Sequence, residues 1–318
     1  MYNFSHAMDI ICTNLRKEGF LRMSQGKHLP SILVKHHKNT AGRETEVMPI
    51  PDVVEICMSQ SIGAPCQPLV AKGDYVKVGQ KIGDTEAFVS APVHSSVSGT
   101  VTDITSVRSS MGGMETHIVI ETDKKQEISE EVQVPHIESH ADFVKAVRAS
   151  GMVGLGGASF PTSIKMDPKN LDECTTLVIN GAECEPFITG DNRIMVEDGQ
   201  DVLDGMLLTM KYLNLEKGII GVEENKPDAI DNLNRLIQQN GITNIEVFKL
   251  QSRYPKGAER VLVYETTGKV MNAGVLPAQL GVILCNVSTI GILGQYFRTG
   301  MPLVQRRITV DGDAVAEP

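Results

Sequence analysis

Gly151-Met152-Val153-Gly154-Leu155-Gly156-Gly157-Ala158-Ser159-Phe160-Pro161-Thr162-Ser163-Ile164-Lys165, followed by Leu177-Val178-Ile179-Asn180-Gly181-Ala182-Glu183-Cys184-Glu185-Pro186, decides how this chain is read. A cluster of glycines removes side chains where a backbone must come close to something else. Lys165 follows at a distance that suits an anionic group. The apolar run 177–179 reads as a short buried strand that carries Asn180, Glu183 and Glu185 to its C-terminal end, where open α/β sheets bind ligands. The glycine pattern is neither G-x-G-x-x-G nor G-x-x-x-x-G-K-[ST], so the standard nucleotide fingerprints do not apply. On the pattern alone two readings stand: a phosphate cradle with its cation and polar strand end, or a glycine-rich turn packed on a helix beside two surface glutamates.

Downstream, the elements alternate. Thr189 or Asp191 caps a helix expected to reach about residue 214, with Val202, Leu203, Met206, Leu207 and Met210 on its apolar face. A buried strand at 218–222 follows, then a helix from Pro227 to Gln239 and a strand at 245–248. Tyr254-Pro255-Lys256-Gly257-Ala258-Glu259 breaks the rhythm before a helix at 260–266. A strand at 281–284 delivers Cys285-Asn286-Val287-Ser288-Thr289, and 290–297 returns as a helix. Such alternation predicts a Rossmann-like parallel α/β sheet. Residues 306–311 read as the start of one more strand.

Upstream, Ser139 caps a helix at 141–150 whose Phe143, Val144 and Val147 share a face, and Gly151 ends it. Residues 124–138 are charged and aperiodic, a linker. Residues 52–123 are β-rich, with Gly73-Asp74 and Gly79-Gln80 between short alternating runs. A duplication runs through them: Gly63-Ala64-Pro65 opens one half and Ser90-Ala91-Pro92 the other. Residues 1–51 form an N-terminal extension, with one helix around 8–17 and a polar, proline-bearing stretch at 28–51 suited to wrapping another domain.

Composition bounds the function. The 318 residues suffice for two or three domains. A net charge of -9 and the absence of tryptophan argue against a nucleic-acid partner. No apolar run reaches the roughly 18 residues of a membrane-spanning helix. Cys12, Cys57, Cys66, Cys174, Cys184 and Cys285 are scattered without a C-x-x-C pair, so no metal site is expected from these residues, neither an iron–sulfur cluster nor structural zinc. The histidines, His36-His37 included, show no metal spacing and read as surface residues.

The quoted stretch also carries a resemblance. Gly154-Leu155-Gly156-Gly157-Ala158-Ser159-Phe160-Pro161-Thr162, the 180–186 run and Tyr254-x-x-Gly257-x-Glu259 together resemble the C subunit of the Rnf-type ion-translocating electron transport complex. That family is similar in turn to the flavin- and NADH-binding subunit of respiratory complex I. His28, Pro30, Met48, Pro49 and Pro51 match the family's upstream stretch. Residues 52–122 resemble a biotinyl/lipoyl-like hammerhead, a barrel-sandwich hybrid, but 86–90 hold no lysine to modify, so a rigid module is expected.

The resemblance implies noncovalent FMN and a NAD(H) site in residues 139–300. Gly154, Gly156, Gly157 and Lys165 match positions near the FMN, and Asn180 and Glu183 match positions around its ring. Tyr254, Gly257 and Glu259 line the same cavity, and Asn286 and Thr289 lie near the phosphate end. Phe160 and Glu185 match the nicotinamide side. No side chain is assigned as catalytic, because the flavin carries the hydride chemistry.

Where complex I subunits have Arg, Gly and Asp, this chain has Leu155, Ser159 and Ala182. The family further implies a β-grasp domain beginning at 301–318 and two 4Fe-4S clusters beyond it. It also implies other subunits of a membrane complex as partners, ferredoxin reached indirectly, and a peripheral place on the cytoplasmic face. Two other readings rest on the same residues: a related reductase, such as a cobalamin reductase or a proline reductase electron donor, and a non-catalytic scaffold that binds no flavin.

Overall fold

The computed structural model describes residues 31–110 and 112–315; the helix expected around 8–17, and His28 and Pro30, lie outside them. The β-rich module contains β1 (Val53–Cys57), β2 (Gln67–Pro68), β3 (Tyr75–Val76), β4 (Lys81–Asp84), β5 (Val93–His94), β6 (Gly99–Arg108) and β7 (Met114–Thr122). They form two antiparallel sheets, β1-β7-β6-β3 and β2-β4-β5. Period-2 alternation turns Ile56, Val101, Ile118 and Ile120 inward to meet Val76, Ile82 and Val93 in one apolar core. A register shift between Val101 and Asp103 bends β6 against β7.

Helix α1 (His140–Ala149) begins with a reciprocal capping box between Ser139 and Asp142. Its Arg148 reaches back to the β-rich module, donating to Asp84 at 2.8 Å and to the Thr85 carbonyl at 2.9 Å. The short α2 (Thr162–Lys165) follows the glycine stretch. Then come β8 (Thr176–Gly181), α3 (Gly190–Glu197), α4 (Gly199–Tyr212), β9 (Lys217–Glu223), α5 (Pro227–Gln239), β10 (Ile245–Leu250), α6 (Glu259–Thr267), β11 (Val282–Asn286) and α7 (Val287–Thr299).

The four strands are parallel, in the order β10-β9-β8-β11. Both faces are covered. Leu177, Ile179, Ile220, Val222, Ile283 and Cys285 pack one way, and Val178, Leu250, Val282 and Leu284 the other. Burial on both faces explains why these strands read as continuous apolar runs. The chain winds outward from β8 through β9 to β10 and returns beside β8 as β11. The winding therefore reverses between β8 and β11, which opens a crevice at their C-terminal ends.

Two expectations are corrected. The single helix expected across 189–214 is two, broken at Asp198, whose carboxylate is engaged by Arg307. Residues 306–311 are not a strand, since they have no ladder partner. Arg307 instead binds Glu197 at 3.0 Å, and the Thr309 hydroxyl accepts from the Thr189 N–H at 2.9 Å.

Segment 31–51 is irregular apart from one bridge between Ile32 and Tyr254, and it lies along the α/β module. There the Thr45 N–H donates to Glu197 at 2.9 Å and Arg193 donates to the Ala41 carbonyl at 3.2 Å. Among the described residues no helix is long and apolar enough to cross a membrane.

Candidate functional site

The register of the parallel sheet places Asn180 directly beside Asn286 at the ends of β8 and β11. Neither pattern alone shows that pairing. The Asn180 amide donates to the Gly257 carbonyl at 2.8 Å, and its oxygen accepts from the Ala182 N–H at 3.1 Å. It thereby ties the 254–259 loop to the β8 end. Asn286 is the N-cap of α7, its oxygen accepting from the N–H groups of Ser288 and Thr289. Its amide donates to Asp191 at 2.7 Å.

The glycine loop is fixed to this platform. Gly154 N–H donates to the Phe160 carbonyl, and Leu155 N–H donates to the Thr289 hydroxyl at 3.0 Å. A Cβ on Gly156 would lie 2.6 Å from Asn286 Nδ2, so only glycine lets the loop rest on that side chain. A Cβ on Gly157 would meet nothing within 4 Å. The loop thus grips the protein at Gly156 and presents bare backbone to open space at Gly157. Ser159 sits at φ 53, the left-handed region that favours glycine. Its carbonyl accepts from the Ile62 N–H of the β-rich module at 3.2 Å.

Lys165 ends α2 half-buried, and Glu259 opens α6 exposed. Both charges reach the same buried thiol, Cys285 on β11. Burial raises that thiol's pKa, Lys165 draws it down and Glu259 pushes it up. A bare backbone loop and the two asparagine-bearing strand ends therefore meet at one edge, and the charge of Lys165 acts on the strand between them. These are the groups a flavin phosphate and a ring edge require, so the residues fit FMN.

Glu183 lies just beyond the end of β8. It is buried (1% exposed), with one oxygen accepting from the Asp191 N–H at 2.6 Å and the other unpartnered. Burial first, and then the charge of Asp191, push its carboxyl up to about 7. Burial likewise raises Asp191, which Ser288 and Asn286 oppose by donating to it. Glu183 lines a cavity of about 260 Å³ with Lys38, Thr189, Asn192, Asn225 and Lys226. Lys38 donates to the carbonyls of Glu183 and Glu185, both at 2.9 Å, and burial lowers its pKa. The Glu185 side chain is exposed, while Phe160 and Tyr254 are half-buried.

Several groups carry no local signal in the sequence. Asp191 reads there only as a helix cap, and nothing singles out Ser288 or Lys38. Lys256 is fully buried and paired with Glu265, which anchors the 254–259 loop. Their partners come from distant segments, so no nearby residue marks them. His94 is not a surface residue: burial pushes it down to about 4.

The chain resembles known proteins over both modules. The family described as the RnfC barrel sandwich hybrid domain matches residues 22–125, and the Nuo51 FMN-binding domain matches residues 147–293. The molecule is thus a complex I-type FMN-binding α/β domain behind a barrel-sandwich hybrid. The C subunit of the proton-translocating ferredoxin:NAD(+) oxidoreductase complex of Clostridium ljungdahlii is 40% identical over 284 residues, covering 88% of this chain and 62% of that protein. The C subunit of the Na(+)-translocating ferredoxin:NAD(+) oxidoreductase complex of Acetobacterium woodii is 42% identical over 274 residues, covering 84% and 61%. The chain belongs to the RnfC family, the C subunits of Rnf complexes. It spans 62% and 61% of the length of these two relatives.

Proposed function

We propose that this chain binds FMN noncovalently at the C-terminal edge of β8 and β11 and exchanges a hydride between NAD(H) and that flavin within an Rnf-type membrane complex. The observation that carries the reading is the glycine loop seated on Asn286 and Thr289 at the point where the sheet reverses. When bound, the flavin supplies the two-electron chemistry. The protein's part is binding and orientation. The backbone around Gly157 receives the phosphate, and Lys165 supplies the opposing charge. Asn180 holds the wall formed by Tyr254, Gly257 and Glu259 against the ring site. Phe160 and Glu185 form the rim that receives the nicotinamide nucleotide, with Leu155 and Ser159 narrowing its approach.

The other subunits of the complex are the partners, with ferredoxin served indirectly, on the cytoplasmic face. The 4Fe-4S clusters belong to the part of the family's chain beyond the matched length. The free cysteines among the described residues, Cys57, Cys66, Cys174, Cys184 and Cys285, do not gather into a four-thiolate set.

The test is reconstitution with FMN, followed by extraction and chromatography of the bound flavin and stopped-flow bleaching by NADH. FMN retained and bleached is the expected result. FAD as the main species, or no retained flavin, overturns the flavin assignment. Retained FMN that NADH does not bleach overturns the nicotinamide half.

A further inference from the structure

The β-rich module carries a cluster that the flavin chemistry does not use. Strands β1 and β7 pair antiparallel, with Cys57 opposite His117 and Ile56 opposite Ile118. The isoleucines point into the core, so Cys57 and His117 lie on the other face, and Glu115 joins them there two residues along β7. Directly opposed residues on one face of a sheet hold their Cβ atoms about 4.5–5.5 Å apart. The sheet itself therefore sets the spacing. One thiol sulfur, one carboxylate oxygen and one imidazole nitrogen lie within 4.8 Å of one another, and among the described residues no other group of three such side chains does.

The internal hydrogen bonding of the cluster is poor. The Cys57 thiol donates to Glu115 at 3.7 Å, a weak sulfur contact. His117 Nδ1 is buried without a hydrogen-bond partner, and the nearest carboxylate, from Glu55, stands 3.5 Å away. Glu55 is on the same face, two residues before Cys57. Three groups that act as acceptors once deprotonated face one another across half-buried sheet, with one thiol proton between two of them. A divalent cation satisfies all three at once.

We propose that Cys57, Glu115 and His117 form a zinc-binding site on the outer face of the β1–β7 ladder. A thiolate, an imidazole and a carboxylate together suit Zn²⁺, whereas Mg²⁺ and Ca²⁺ take oxygen ligands. Bonds of about 2.0–2.3 Å from a central zinc draw ligand atoms slightly closer than they stand here, within reach of rotamer adjustment. Glu55 orients the imidazole from outside or closes the fourth position. The ion's role is structural. β1 is the edge strand of its sheet, and a metal bridge to β7 fastens that edge.

The sequence shows no metal spacing here because the ligands lie far apart in the chain and meet only through strand pairing.

The experiment is titration of the metal-free 318-residue chain with Zn²⁺ against a chromophoric chelator, repeated with Co²⁺. One equivalent of zinc is expected, with a rise in melting temperature. Co²⁺ should give a thiolate-to-cobalt charge-transfer band. Cys57→Ser abolishes that band, and His117→Gln weakens zinc binding by roughly a hundredfold, while Glu55→Gln weakens it by about tenfold. Both ligand variants should melt as the metal-free parent does without zinc, which separates lost binding from lost folding. Absence of stoichiometric zinc in the parent overturns the proposal. So does zinc bound equally by the parent, Cys57→Ser and His117→Gln.

Discussion

The two modules handle charge in opposite ways. In the β-rich module the ion pairs stand outside the core: Lys77 reaches Glu127 and Glu130, and Lys124 reaches Asp52. Its buried polar residues are small hydroxyls, Ser90, Ser95 and Ser98, together with His94. The α/β module has exposed pairs too, such as Lys217 with Glu246, but it also buries charges. Lys226 with Glu223, and Glu183 beside Asp191, lie at or just beyond the C-terminal ends of β9 and β8, and Lys256 in the loop after β10 pairs with Glu265 of α6. An antiparallel sheet with one wet face has somewhere to put a charge. A parallel sheet covered on both faces has only its strand ends, so polar groups collect where the ligand edge is. Buried charge therefore points to a site in the α/β module, whereas exposed charge in the β-rich module only solvates a surface.

The sharpest way to break this comparison is Lys256→Met. Removing the cation of this buried pair takes away the charge opposite Glu265, at a cost of about 3–5 kcal/mol. With both side chains almost fully enclosed, chemical denaturation should show the full loss. The 254–259 loop should loosen with it, since Lys256 is its anchor. A variant as stable as the parent would show that the pair contributes nothing and that burial of charge here has no structural consequence.

Glu183→Gln sharpens the comparison through pH. The native carboxyl holds its proton up to about 7, against an ordinary value of 4.5. Between those values the native state binds more protons than the unfolded chain, so stability falls as pH rises through that window. Asp191 is raised in the same direction and adds to the slope. The substituted amide mimics the protonated acid, so above neutral pH the variant should exceed the parent by roughly 2–3 kcal/mol, the difference vanishing in mild acid. Urea melts at a series of pH values read this directly. Parallel curves for the two proteins would mean that Glu183 is solvated and ionised in the native state.

Lys165→Ala should weaken FMN binding by roughly 1.5–3 kcal/mol, the range for a hydrogen bond to a charged group, with little effect on the flavin-free melt. Fluorescence titration with FMN checks it. Unchanged affinity would move the phosphate away from α2 and leave the Gly157 backbone without its cation.

Much of the fold is legible because local chemistry agrees with the tertiary outcome. Pro227 opens α5, Gly151 closes α1 in the left-handed region, and apolar runs buried on both faces announce a parallel sheet. The glycine loop and the two asparagine strand ends are visible as separate motifs. What no local pattern encodes is strand order. Only the return of β11 beside β8 brings Asn286 next to Asn180, and only that brings Asp191 to Asn286. The same limit hid the inward turn of Glu183. It also hid the break at Asp198, where Arg307 from a distant segment overrides a continuous amphipathic pattern. The 306–311 stretch has strand-forming composition, but composition cannot supply a ladder partner.

The smallest effect expected is at Lys77, and it tests the other half of the comparison. Lys77 holds two carboxylates at 2.7 and 2.6 Å, and its hydrogen bonds to Glu127 and Glu130 raise its pKa well above the usual lysine range. By distance alone this is as good an ion pair as the buried Lys226–Glu223, at 2.7 Å. Yet Glu130 is 81% exposed, so water solvates its carboxylate nearly as well as the lysine does. Holding three long side chains in one arrangement also removes rotamer freedom. Lys77→Ala should therefore leave the melting temperature within the scatter of replicate melts, and added salt should make no difference to that result. A clear loss of stability that disappears at high salt would show that this surface network supports β3 against the 127–130 segment. The contrast between the two modules would then rest on dielectric screening rather than on where the charges sit.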